Sequence, residues 1–170
     1  MTAPGNDAAL PAAALTGEAE RRAALARMDG LDFLRAMMAG DLPPPPIAHT
    51  LGFILSHAES GYAVFTGTPA HAYYNPIGSV HGGWIATLLD SCMACAVQTM
   101  LTGGRGYTTL ELKINYIRAV TEATGPVRAE GRIIHSGGRT ATAEGRLLDA
   151  QGRLLAHGTT TCLVFEPRAA

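Results

Sequence analysis

The sequence predicts an α+β fold: a curved antiparallel β-sheet wrapped around a central long α-helix, preceded by a helical leader. Three observations predict it. Residues 84–101 form an apolar run of helical length. Two strand-like stretches precede that run, 51–60 and 62–69, joined near Gly61. Four more follow it, at 107–120, 127–135, 140–149 and 153–165, and the last three are joined by the glycine-bearing turns "HSGGRT" and "DAQGR". One long apolar helix between a strand pair and a strand run is α+β organisation. A sheet curled around the helix is the simplest way to bury it on nearly every side.

The other elements follow in order. Residues 1–17 are rich in Ala, Pro and Gly and read as a flexible tail, without the basic start and apolar run of a signal peptide. Residues 18–170 read as a single domain. Its leader, 18–40, is helical, with a break expected at Gly30 and a stop at Gly40. "DLPPPP" then reads as a stiff extended connector. Residues 70–80, rich in Tyr, Asn, Pro and Gly, read as an irregular loop of the kind that often carries function.

Composition narrows the function. The 170 residues suffice for one domain with a core. The chain is 47% hydrophobic and only 16% charged, so part of its surface is expected to be covered by another subunit. A net charge of −1 gives no electrostatic case for nucleic acid or an anionic membrane. Thr87, Asp90, Ser91, Gln98 and Thr99 interrupt the long apolar run, which argues for a core helix over a membrane span. Three cysteines make no disulfide framework, and a reducing cytoplasm is the natural setting.

Asp90 is the anomaly, a carboxylate in the middle of the apolar helix. Burying an unpaired carboxylate is costly. At about 100° per residue its face also carries Gly83, Ala86, Ala94 and Val97. The opposite face carries Ile85, Leu88, Cys92 and Cys95. Small groups around the carboxylate leave room for a ligand or another chain, although a bond to a neighbouring Ser, Thr or amide would also account for it. Upstream, "SVHGGW" puts Gly82 and Gly83 at the helix start, where free N–H groups and the helix dipole suit an oxyanion. Those amides lie about 11–13 Å from Asp90 along the axis. To grip one carbonyl together they would have to meet across a two-fold axis.

The run "NPIGSVHGGWIATLLD" resembles the active-site signature of hotdog-fold acyl-CoA thioesterases, specifically the phenylacetate-degradation (PaaI-like) branch. Asn75, His81, Gly82, Gly83 and Asp90 match that pattern in type and spacing, and the resemblance runs from about Asp29 through Phe165. It implies an acyl-CoA thioesterase, a homodimer or dimer of dimers, with coenzyme A as part of the substrate and no separate cofactor. It implies Asp90 as base or nucleophile, the Gly82 N–H as oxyanion donor and Asn75 as its companion. A hydroxyl on the next strand supports the carboxylate, and here Thr109 is preferred over Thr108.

His81 either shapes the helix start or touches the thioester. Arg118 and Arg139 are candidates for coenzyme A phosphates, and Tyr74, with Tyr73, for an acyl pocket wall. Cys92 and Cys95 read as core packing, not a redox pair. His49, His57, His71, His135 and His157 show no metal-ligand spacing. A hotdog enoyl-CoA hydratase or dehydratase, with His81 and Asp90 recast, and a non-catalytic acyl-CoA-binding protein are the alternatives. The acyl group, aromatic or medium-chain, is left open.

Overall fold

The computed structural model describes residues 12–166. Three helices lead, α1 (Ala12–Leu25), α2 (Gly30–Ala39) and α3 (Pro46–Leu51), followed by strands β1 (Phe53–Glu59) and β2 (Tyr62–Gly67). The long helix α4 (Gly82–Gln98) comes next, then β3 (Gly106–Tyr116), β4 (Val127–Ser136), β5 (Thr140–Asp149) and β6 (Leu154–Phe165). All pairings are antiparallel, in the order β1-β2-β4-β5-β6-β3. Because α4 connects β2 to the far edge strand β3, it must cross the whole sheet.

The leader departs from expectation in three places. Helix α1 begins at Ala12, inside the stretch assigned to a tail, whose residues 1–11 lie outside the described residues. The break falls between Leu25 and Gly30, and Gly30 itself opens α2. Its position is set by contact, since a Cβ there would come within 1.8 Å of the Gln98 carbonyl oxygen. The Gly30 N–H donates to Leu101 O at 2.8 Å, and Asp29 Oδ1 accepts the Gly103 N–H at 2.9 Å. These bonds fasten α2 to the end of α4. Helix α2 stops at Gly40, whose φ of 85° suits a residue without a side chain. The proline run does not stay extended to its end: its last residue, Pro46, starts α3. Proline fits a helix's first turn, where its missing N–H is no loss, and six residues are too few to show a helical period.

Helix α4 buries one face fully on the sheet. Leu88, Leu89, Cys92, Met93, Ala96 and Val97 are all 0% exposed. Burying each large apolar side chain among them contributes about 1.5–3 kcal/mol. The helix is not buried on nearly every side, however. Gly82, Gly83, Ala86, Thr87, Asp90 and Ser91 form a strip left partly open. Ala94, on the Asp90 face by the helical wheel, is buried where the leader covers that end of α4, while Val97 packs into the core against the sheet.

Candidate active site

The two ends of the open strip are built differently. At the N-terminal end His81 is the N-cap of α4, and its Nδ1 accepts the Gly83 N–H at 2.8 Å. His81 is thereby the residue that shapes the helix start, and the Gly83 donor is consumed within the turn. The Gly82 N–H has no acceptor among the described residues. It stands at the positive end of a 17-residue helix. Tyr116 donates from its hydroxyl to Gly82 O at 3.0 Å and stands beside the glycine, where a Cβ would meet its ring at 3.1 Å. Gly82, Asn75, Tyr116 and Arg118 line one cavity of about 260 Å³. Asn75 is largely occupied there: its Oδ1 accepts the N–H groups of Ile77 and Ser79, and its Nδ2 donates to Ser79 Oγ at 3.0 Å. It holds the loop that presents Gly82, and one Nδ2 hydrogen remains for a ligand.

Asp90 lines a different cavity, of about 700 Å³, together with Ser91, Thr108 and Thr109. Thr109 Oγ1 donates to Asp90 Oδ1 at 3.0 Å. Strand geometry explains why Thr109 faces the helix. The β3–β6 register shifts between Thr109 and Glu111, so a bulge at Leu110 inserts one residue and leaves Leu110 60% exposed. That extra residue is what left Thr108 and Thr109 both eligible in the sequence. Thr109 is the only hydrogen-bond donor to Asp90 among the described residues. Asp149, by contrast, takes three donors, from the backbones of Gln151 and Arg153 and from the Arg153 guanidinium. One carboxylate is saturated by its own hairpin; the other keeps an oxygen free toward a cavity.

The remaining candidates scatter. Tyr74 lines neither cavity; its hydroxyl accepts the Glu122 N–H at 2.9 Å and its ring lies 5.0 Å from His71. Tyr73 stacks on Trp84 at 5.6 Å, as packing. Arg139 sits in the β4–β5 turn, where its carbonyl accepts the Val164 N–H, and it lines neither cavity. The cysteines are free. Cys92 is buried in the core, and burial raises its thiol pKa well above the ordinary value. Cys95 packs against the core as expected and also lines the larger cavity. Burial, then the nearby Asp90 charge, push its thiol up to about 12 despite a hydrogen bond with Tyr107. At neutral pH both thiols stay protonated and weakly nucleophilic.

Sequence reasoning missed Tyr116, Ser91 and the leader residues that wall the larger cavity. The position of Ser91, next to Asp90 in the open strip, was a usable signal. Tyr116 was not, since the bulge at Leu110 hides its strand parity.

A family model for the thioesterase superfamily matches residues 77–156, the stretch from the Asn75 loop through α4 into β6. A conserved protein of Pseudomonas aeruginosa is 30% identical, its structure superposing with a TM-score of 0.67 over 72% of this chain and 95% of that one. The chain belongs to the thioesterase superfamily. A Ralstonia eutropha protein described as phenylacetic acid degradation-related is 29% identical, with a TM-score of 0.70 over 76% of this chain and 98% of that one. A Streptococcus mutans protein solved with acetyl-CoA is 25% identical, with a TM-score of 0.62 over 69% and 92%. No curated protein matches. The hotdog architecture expected of such a thioesterase is the one observed, a six-stranded antiparallel sheet with one central helix. Among the described residues no helix is long and apolar enough to cross a membrane.

Proposed function

We propose that the protein is a cytoplasmic acyl-CoA thioesterase whose active sites each combine two subunits. The observation that carries this reading is the open strip of α4. It holds an unoccupied N–H at Gly82 and a singly bonded carboxylate at Asp90, eight residues and about 12 Å apart, in separate cavities. Two copies of α4 packed antiparallel through this small-residue strip would set Gly82 of one against Asp90 of the other. The outer edge of β3 is an eleven-residue strand paired only to β6, and such an edge suits pairing with its own copy. The Streptococcus mutans relative bound to acetyl-CoA supports the substrate class.

The chemistry follows from the parts. The Gly82 N–H polarises the thioester carbonyl and stabilises the oxyanion that forms on it. Asp90 of the partner subunit takes a proton from water as the oxygen adds to the carbonyl carbon. The C–S bond then breaks, and the proton goes to the departing thiolate, leaving the free acid and coenzyme A. Direct attack by Asp90 would reach the same products through a mixed anhydride. Thr109 fixes the carboxylate in either case, and Arg118, beside Gly82, is placed to meet a phosphate. A hydratase would use His81 as a proton carrier, but its Nδ1 is committed to Gly83. Thiol release and enoyl hydration should be measured on one panel of coenzyme A esters. Hydration without thiol release would overturn the hydrolase reading, and binding without either reaction would make the protein a sensor.

A further inference from the structure

The family match covers residues 77–156 and omits the leader, yet the leader makes half of the cavity that contains Asp90. One wall is polar: Asp90, Ser91, Thr108 and Thr109. The facing wall is apolar and comes from α2, α3 and β1, through Leu34, Met37, Met38, Ile47 and Ile54. Phe33 and Leu34, buried to 6% and 1% exposure, belong to a second hydrophobic cluster with Ala24, Leu42 and Ala58 that anchors this wall. The fastening at Asp29 and Gly30 fixes it to α4. Met38, Ile47 and Ile54 are 41%, 49% and 64% exposed at the same place, more apolar surface than the fold needs there.

We propose that this leader-walled cavity is the acyl chamber, and that it selects medium-to-long apolar acyl groups over acetyl or dicarboxylyl groups. The proposal rests on the thioesterase reading for the position of the carbonyl, which lies at the polar wall beside Asp90. At about 700 Å³ the chamber is the size of a site for a drug-sized ligand and leaves an acetyl group mostly without contacts. A second carboxylate on the acyl tail would be desolvated against Met37, Ile47 and Leu34, and the one cation of the lining, Arg21, already donates from its guanidinium to the carbonyls of Pro43 and Pro44. Two unbranched methionines make the wall adaptable, so a range of chain lengths fits. Ala94, one turn beyond Asp90, forms the chamber floor on α4.

The test measures kcat/KM for acetyl-, hexanoyl-, decanoyl- and glutaryl-CoA in the wild type, Ala94→Leu and Ile54→Gln. Wild type should prefer decanoyl- to acetyl-CoA by at least about tenfold, since each buried methylene is worth about 10–200-fold in specificity at most. Ala94→Leu fills the floor and should lower the decanoyl-to-acetyl ratio by on the order of tenfold. Ile54→Gln, at an exposed position, should lower it in the same direction even if Ala94→Leu does not fold. A preference for acetyl- or glutaryl-CoA, or ratios unmoved in the folded variants, would overturn the proposal. If no ester is hydrolysed, the thioesterase reading fails by itself. Displacement of anilinonaphthalene sulfonate by decanoate then decides the chamber: displacement from wild type, weakened in the variants, supports it, and no displacement overturns it.

Discussion

The two ends of the open strip on α4 make different use of the same helix. At the N-terminal end the group left without a partner among the described residues is the Gly82 backbone N–H, because His81 and Asn75 satisfy only its neighbours. At the Asp90 end the group facing the cavity is a side chain, and its surroundings come from segments as far apart in sequence as Leu34, Asp90 and Thr109. A donor made by the backbone is robust to most substitutions and vulnerable to a few. A carboxylate in a composite chamber is exposed to changes in every segment that builds it.

The largest expected effect is at Asp90. Asp90→Ala should lower kcat by on the order of 10²–10⁴-fold, with circular dichroism and oligomeric state unchanged. Full activity in a folded Asp90→Ala protein would remove the carboxylate from the mechanism. Gly82→Pro deletes the amide donor at the other end. It should cost about 10²–10³-fold in kcat with a much smaller change in KM. Gly82→Ala is the control: both variants press on the Tyr116 ring, but only proline lacks the N–H. Equal losses in the two would make crowding the cause, and the oxyanion role would fall.

Mixing these two inactive proteins separates a shared site from one within a single chain. Each heterodimer would hold one site with both groups intact, so random exchange should restore about a quarter of wild-type activity. Demonstrated exchange with no recovery would argue that Gly82 and Asp90 do not serve one substrate. Thr109→Val should have a smaller effect, lowering kcat about tenfold by removing a hydrogen bond to a charged group. Thr109→Ser should restore most of the loss, and Thr108→Val should have little effect. Reversal of that order would mean that Thr108 supports the carboxylate.

The smallest effect contrasts Asp90 with the saturated carboxylate. Burial acts to raise the Asp149 pKa, but the N–H donors of Arg153 and Gln151 and the Arg153 guanidinium outweigh it and hold the pKa below the ordinary carboxylate value. A folded-state pKa below the unfolded one stabilises the fold above the unfolded value of about 3.9 and loses that contribution as pH falls through the folded value. Asp149→Asn should therefore lower Tm at neutral pH, with the difference from wild type shrinking in acid, while kcat stays unchanged. A Tm difference independent of pH would mean that charge plays no part at this hairpin.

The sequence by itself determined the elements that depend on neighbours along the chain. Helical length and apolarity gave α4; glycine-bearing turns gave the β4–β5 and β5–β6 hairpins. Asp90 stood out as a carboxylate in an apolar helix and Gly82 as a free helix start, and the resemblance to a known signature added Asn75 and His81. Their identities are local facts, because a cap, a turn and a helix face are settled within a few residues. Only the tertiary structure decided the rest: that Thr109 and not Thr108 meets Asp90, that Tyr116 braces Gly82, and that the leader walls the Asp90 cavity. A one-residue bulge inverts strand parity without any mark in composition. Contacts across dozens of residues depend on where packing brings Gly30 onto Gln98, and no local period encodes that distance.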